Sequence, residues 1–204
     1  MWQQEQEHRD AAAADLSYWR VRLGGVEELR LPVDRERPSR PQGSGGVVRF
    51  EADAAEVRGL KELARRHGAT LFMVLLAAYK VLLMRHSGQE DIAVGTPTGA
   101  RPHEELEGLI GYFVNMVVLR TDLSGKPRFS ELLERVKSGA LQAYEHQDLS
   151  FDRLVTELSP QRRIGRNPLY QVVFDLQNAP QGELNLQGVS NTAESCSKKR
   201  RCAG

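Results

Sequence analysis
IGYFVNMVVLR, residues 110–120, is an apolar run of β-branched and aromatic side chains broken by one amide, Asn115. Such a run suits a pleated, buried surface and predicts a strand. The amide sits among Phe113, Val114, Met116 and Val117. A buried amide left unpaired costs about 1–3 kcal/mol. Asn115 must therefore either tie itself to neighbouring backbone or face a solvent-filled channel.

Upstream of that strand, residues 2–23 predict a helix, with Ala11 to Ala14 as strong helix formers and Leu16, Trp19 and Leu23 at helical spacing; Gly24 and Gly25 end it. Residues 31–46, LPVDRERPSRPQGSGG, hold three prolines and three glycines and read as a linker or surface crossing. Residues 47–52 alternate apolar and polar side chains as a half-buried strand does. Asp53 then opens a helix, with Glu56 completing a capping box. Val57, Leu60, Leu63 and Ala64 form its buried face, His67 serves as a packed or capping residue, and Gly68 closes it. The next helix, TLFMVLLAAYKVLLMRH over residues 70–86, is apolar almost all round except for Lys80. Its apolar run is shorter than the roughly 20 residues a bilayer requires, so it reads as a core helix, with Met73 and Met84 in that core. A short strand over 91–97 follows.

Downstream, Ser130 is expected to cap a helix striped by Leu132, Leu133, Val136, Ala140, Ala143 and Tyr144. A short helix from Ser150 carries Phe151, Leu154 and Val155, and residues 169–176 predict the last strand. The mixed order of elements, with no internal repeat, indicates an α+β fold with a mixed sheet packed by helices. The expected organisation is an N-terminal helix over 1–30, the linker over 31–46, a lobe over 47–180 and a polar, disordered tail over 181–204. Lys198 to Arg201 read as ordinary tail charge rather than a nucleic-acid patch.

The 204 residues carry 28 Lys and Arg against 27 Asp and Glu, a net charge of +1 that gives no overall bias toward nucleic acid or anionic membrane. Cys196 and Cys202 fit neither a zinc knuckle nor a redox pair, and the N-terminus lacks the form of a secretory signal, so a cytoplasmic location is expected. The chain has no GxSxG elbow, no phosphate-binding GxxxxGK[ST] and no GxGxxG after a strand. Its five histidines, His8, His67, His86, His103 and His146, are scattered, which points to no metal site and no bound cofactor. Two further polar groups stand out. His146, Gln147 and Asp148 end a helix, where Asp148 could fix the imidazole or cap the next helix. Arg166, Asn167 and Pro168 precede the last strand, with proline holding Asn167 extended, as a structural clamp or a polar wall.

Taken in order, IGYFVNMVVLR, HQDLSFDRL from His146 and RIGRNPLYQVVF from Arg163 resemble the last three motifs of the condensation domain of nonribosomal peptide synthetases. The likeness extends from YWRVRLGG at Tyr18 to LQNAP near Pro180, and Trp2 with Gln3 resembles the end of the preceding tryptophan motif. The resemblance implies the second lobe of a V-shaped domain whose lobes each resemble chloramphenicol acetyltransferase. In that family a donor thioester and an acceptor amine, each on the phosphopantetheine arm of a carrier domain, meet in a tunnel between lobes and form an amide. It implies tunnel-facing roles for Asn115, Arg166 and Asn167, and structural roles for Gly111, Phe113, Arg120, His146, Gln147, Asp148, Phe151 and Pro168. It also implies partners: peptidyl and aminoacyl carrier domains, an N-terminal lobe and neighbouring modules, with no nucleic acid and no membrane. The family's catalytic motif, His-His-x-x-x-Asp-Gly, has no counterpart among these residues, so the implied chain carries no catalytic residue and is inactive alone. The competing readings are a non-catalytic carrier-docking module and a piece of a related acyltransferase or epimerization domain. Departures from the family pattern are Met116 for threonine, Ser150 for proline, Asp152 for glutamate, and Arg163 and Gly165 for aspartate and serine. The abrupt change to NTAESCSKKRRCAG suggests a shifted or truncated reading frame.

Overall fold
The structure, a computed structural model, describes residues 10–35, 45–99, 111, 113–158 and 167–177. Its centre is an antiparallel pair, β1 (Asp91–Gly99) and β2 (Val114–Asp122), in which Val94 faces Leu119 and Thr98 faces Asn115. Both strands run beyond their tips as read from sequence, β1 by two residues and β2 by two, while β2 starts at Val114 rather than Ile110. Residues 100–110 lie outside the described residues, Gly111 is exposed, and Phe113 is half-buried.

Helix α1 (Asp10–Leu23) buries Leu16, Trp19 and Leu23, and Gly24 with Gly25 stops it: the Gly24 amide bonds to Arg20 O, and Gly25 takes φ +67°. These side chains and Leu29 join the same core as the rest of the chain. Helix α2 (Ala54–Arg66) starts at the expected capping box: Asp53 Oδ1 accepts from the amides of Ala55 and Glu56, and Glu56 Oε2 accepts from the Asp53 amide. His67 is its C-terminal cap. Helix α3 (Leu71–Ser87) is capped by the Thr70 hydroxyl and closed by Gly88 at φ +72°. Among the described residues no single helix is long and apolar enough to cross a membrane; α2 and α3 reach that composition only together, and they turn by 104° at their junction.

Helix α4 (Phe129–Glu145) packs on β2 and on α3, burying Leu132, Leu133, Val136, Ala140 and Ala143 as its stripe predicts. Its cap differs from expectation. Ser130 lies inside the first turn and Arg128 is the cap position, its amide bonded to Glu131 Oε2 at 2.7 Å, so an acidic side chain reaching back closes the helix start. Helix α5 (Phe151–Leu158) buries Leu154 and Val155 and packs on α1 and β2.

Two expected strands are not formed as such. Residues 47–52 lie outside any helix or strand, because no neighbouring segment among the described residues offers them a ladder; Val47, Val48 and Phe50 are 81%, 90% and 90% exposed. Residues 169–176 give one parallel bridge, Gly95 to Val173, with the Gly95 amide on Val172 O at 3.0 Å and the Phe174 amide on Gly95 O at 2.9 Å. The first part of that segment is instead used in a turn on Asn167. The bridge gives the sheet its mixed character, and Gly95 permits it: a Cβ there would stand 2.8 Å from the Tyr170 ring.

Lys80 is the most unusual core residue. Fully buried on α3, it donates from Nζ to Leu119 O and to Thr121 Oγ1, both at 2.7 Å, and so fastens α3 to β2. Burial lowers its pKa to about 7, with the Arg22 charge adding to the effect and Asp91 opposing it.

In the unfolded chain this amine returns to about 10.5, so between pH 7 and 10.5 the unfolded state holds the extra proton. Stability should therefore rise with pH through that window. The half-buried phenols of Tyr18, Tyr79 and Tyr144, raised above 10.0 by desolvation, act oppositely only above pH 10. Lys80→Met should remove most of the rise between pH 7 and 9.5 and be at least as stable as the parent at pH 7, read as urea midpoints at stepped pH. A parallel pH slope in both proteins would contradict this. Gly95→Val should cost about 1–3 kcal/mol by forcing Tyr170 from its seat, with faster amide exchange at Phe174 as the local readout.

Candidate functional site
The three sequence motifs lie side by side, and the Asn115 side chain is the junction of the first two. Its Nδ2 donates to Gln147 O at 2.7 Å and to Leu149 O at 2.9 Å. Its Oδ1 accepts from the Met116 amide at 2.9 Å and from the Phe151 amide at 3.0 Å. The last bond is a helix cap supplied across the fold, because Phe151 opens α5 and its N–H has no partner within that helix. All the hydrogen-bonding positions of the amide are therefore engaged with backbone. β2 presents this amide because it pairs with β1 directly opposite, and the loop 146–150 closes over it.

The second motif is joined to the third through rings. Phe151 and Tyr170 lie 5.5 Å apart, tilted by 53°, and Tyr170 in turn covers Gly95 on β1. Asn167 shapes that segment locally: its Oδ1 accepts from the amides of Leu169 at 3.1 Å and Tyr170 at 3.4 Å, and its backbone carbonyl accepts from Gln171 Nε2 at 2.6 Å. Pro168 is half-buried beside it, and Arg166 lies outside the described residues.

His146 is the C-terminal cap of α4, as its position suggests, but its ring partner is not Asp148. Nδ1 lies 2.6 Å from Asp15 Oδ1, and since a carboxylate can only accept, the ring donates from Nδ1. Tyr18 stacks on the imidazole with centroids 4.1 Å apart, and Trp19 Nε1 donates to His146 O at 2.9 Å. Asp148 is exposed, and neither it nor the Gln147 side chain takes the capping role, which passes to Asn115. The imidazole thus seats α1 on the second motif.

Arg120, at the other end of β2, fastens the same helix from below. It grips Asp91 with Nε at 3.0 and 2.9 Å and Nη2 at 2.6 Å, and its Nη1 donates to Arg22 O at 3.0 Å and Gly24 O at 2.8 Å. The Asp91 carboxylate raises the guanidinium pKa further above its ordinary value. Arg22 reciprocates, donating from Nη2 to Arg120 O at 2.6 Å beneath Gly139, where a Cβ would stand 2.8 Å from that nitrogen.

Sequence reading therefore located Asn115, His146, Phe151 and Arg120 but missed Asp15, Tyr18, Arg22 and Asp91, whose partners lie 29 to 131 residues away and leave no local spacing signal. Gly95 had a signal, a glycine inside a strand run, which marks close approach of another group. Thr98, opposite Asn115, carries a buried hydroxyl with no hydrogen-bond partner, as does Tyr18, whose ring stacks on His146. No group of three His, Cys, Asp or Glu side chains among the described residues is arranged to hold a metal. An open groove of about 560 Å³, lined by Thr121, Glu131, Glu134, Arg135 and neighbours, carries both signs of charge and shares no residue with the motifs.

Comparison with known proteins gives a consistent result. The family model described as Condensation domain matches residues 1–200, which includes all but the last four residues of the segment set apart as a tail. One polypeptide of the linear gramicidin synthase of Brevibacillus parabrevis is 49% identical over 189 residues, 92% of this chain and 4% of that protein. Chondramide synthase cmdD of Chondromyces crocatus is 46% identical over 191 residues, 94% of this chain and 5% of that protein. This chain thus spans about one twentieth of the length of these curated relatives. Among solved structures, the complex of the X-domain and OxyB from teicoplanin biosynthesis matches with a TM-score of 0.80 at 31% identity, covering 84% of this chain and 39% of that one. With the first two motifs tied at one amide, the third packed against them through Tyr170, and the family model matched over nearly its whole length, this chain belongs to the condensation domain family of nonribosomal peptide synthetases.

Proposed function
We propose that this chain supplies the C-terminal lobe of a condensation site that joins a carrier-bound acyl or peptidyl thioester to a carrier-bound aminoacyl amine. The observation that carries the reading is the tie of the first two motifs at Asn115, with the third packed on Phe151 through Tyr170, in a chain that belongs to the condensation family. In this reading the tunnel wall runs along Asn115, Asn167 and Arg166. Asn115 acts as a positioning residue, since its amide is engaged with backbone and holds the loop 146–150 and the start of α5 in place. Thr98, with its free hydroxyl next to that junction, is the added candidate for contact with a thioester or pantetheine amide.

The reaction needs a group that takes the proton from the attacking amine. The histidine brought to the junction is already turned to Asp15 and stacked on Tyr18, which suits a structural tie. The general base is therefore assigned to a lobe outside these 204 residues, one that carries His-His-x-x-x-Asp-Gly. Without it, general-base assistance worth about 10²- to 10⁴-fold is lost. Loss of positioning between lobes removes up to about 7 to 11 kcal/mol more. The cofactor requirement of the reading lies with the carriers, whose phosphopantetheine arms deliver both substrates.

A second reading has one observation in its favour. The teicoplanin X-domain, similar in fold at 31% identity, stands in complex with a partner protein, OxyB. In this reading the lobe keeps a protein-docking surface and performs no chemistry. A pull-down with loaded carrier protein separates the readings when paired with an activity assay.

The chain alone, given two loaded carrier proteins, should form no amide, while adding an N-terminal lobe with the catalytic motif should yield one, followed by mass spectrometry of the carrier-bound product. Amide formation by the chain alone would reject the assignment of the base, and carrier capture without any complementation would favour docking. Asn115→Asp, nearly isosteric, sets a carboxylate against the carbonyls of Gln147 and Leu149 and should lower stability by about 2 kcal/mol, seen as a reduced urea midpoint. An unchanged midpoint would remove Asn115 from its positioning role.

A further inference from the structure
Helix α1 carries Asp15, Tyr18 and Trp19 on one face, and all three meet a single residue, His146, at the start of the loop 146–150. The Asp15 carboxylate accepts from His146 Nδ1 at 2.6 Å, and the Tyr18 ring stacks on the imidazole with centroids 4.1 Å apart. Trp19 Nε1 donates to the His146 carbonyl at 2.9 Å. Ring and carbonyl are thus held by the same helix, which fixes how this residue is turned. The next carbonyl, that of Gln147, accepts from Asn115 Nδ2 at 2.7 Å. Two successive peptide carbonyls are therefore held by side chains of α1 and β2, elements far apart in the chain, and a rotation at 146 that releases one disturbs the other.

We propose that Asp15 is a positioning residue of the condensation site. Through His146 it sets the loop that Asn115 holds, and through that loop the start of α5 and the Phe151 ring that packs on Tyr170. This rests on the reading of Asn115 as part of the tunnel wall, and it extends the support of that wall to a helix outside the three motifs. Burial suits this tie to the role. The Asp15 and His146 side chains are 14% and 27% exposed, so solvent screens their bond less than it screens the other pair between α1 and this segment, Arg20 with Glu157, at 56% and 35%. With so little surface Asp15 offers a carrier nothing to grip, and its influence on the reaction passes through the loop. The role requires an acceptor oxygen for Nδ1–H, which asparagine supplies and alanine does not.

Backbone amide exchange on the full chain tests the relay, with circular dichroism confirming that each variant folds. Asp15→Ala should speed exchange of the Phe151 amide about tenfold relative to that of Leu123, which bonds to Glu90 O at the other end of β2. Asp15→Asn should stay within about twofold of the parent. Gln89→Ala, which removes bonds to Glu28 O and the Arg30 amide on the segment after α1, should leave the Phe151 rate unchanged. In the chain complemented by an N-terminal lobe with the catalytic motif, Asp15→Ala should lower kcat about tenfold with carrier KM unchanged, and Asp15→Asn should keep it near the parent. A Phe151 rate that ignores Asp15→Ala, one that Gln89→Ala raises as much, or an Asp15→Asn as disruptive as Asp15→Ala would each overturn the relay. Faster exchange with kcat unmoved would overturn the positioning role and leave the condensation reading intact. No amide from the complemented parent would reject that reading and, with it, the catalytic purpose of the relay, which the exchange rates would still show or refute.

Discussion
Two strands paired over nine residues cannot stand alone in water, and the fold is organised around covering the pair β1 and β2. α3 and α4 lie against it, and α5 closes the end at which Asn115 sits. The pair is then fastened by polar groups placed where apolar packing would leave freedom to slide. Lys80 draws α3 to β2, Arg120 draws the loop after α1 to β1 and β2, and Asn115 draws the loop after α4. Each directs a side-chain donor at backbone carbonyls, which fixes register as well as contact. The apolar core supplies the bulk of the stabilisation, while these few bonds select one arrangement of it.

That division explains the character of the candidate site. The motif residues here are largely engaged with one another and with backbone, so their effect on chemistry passes through the shape of the loop and the start of α5. In the proposed site a lobe built in this way serves as a wall. The polar groups left over for a ligand are few, and Thr98 stands out because its hydroxyl is buried and unused beside the junction. The reading of the chain as half of a two-lobed site rests on this arrangement together with family membership.

Helices with a strong periodic stripe were legible in the sequence, as were the capping box at Asp53 and the stop at Gly24 and Gly25, because these depend on residues within one turn. Asn115 was legible as a problem, a polar group in an apolar strand, though not its solution: its partners at 147, 149 and 151 become neighbours only after the sheet forms. The same holds for His146, where the adjacent Asp148 was the local candidate and the distant Asp15 takes the bond. The alternation at 47–52 was read correctly as a pattern, yet a strand also requires a neighbour, which period alone cannot supply. Ser130 yielded to Glu131 because an acidic side chain reaching back from the first turn satisfies the Arg128 amide directly.

The ties made by α1 bear on how such lobes could be recombined. Asp15 and Trp19 hold the loop at 146, Arg22 and Gly24 hold Arg120, and Gln89 bridges to Glu28 and Arg30. A seam between two parental sequences in the proline-rich stretch would leave every one of these pairs with one member from each parent. A seam ahead of Asp10 keeps them all within one parent. The stretch that looks like a linker is thus a poor place to cut a chimera, and α1 travels with the residues that follow it.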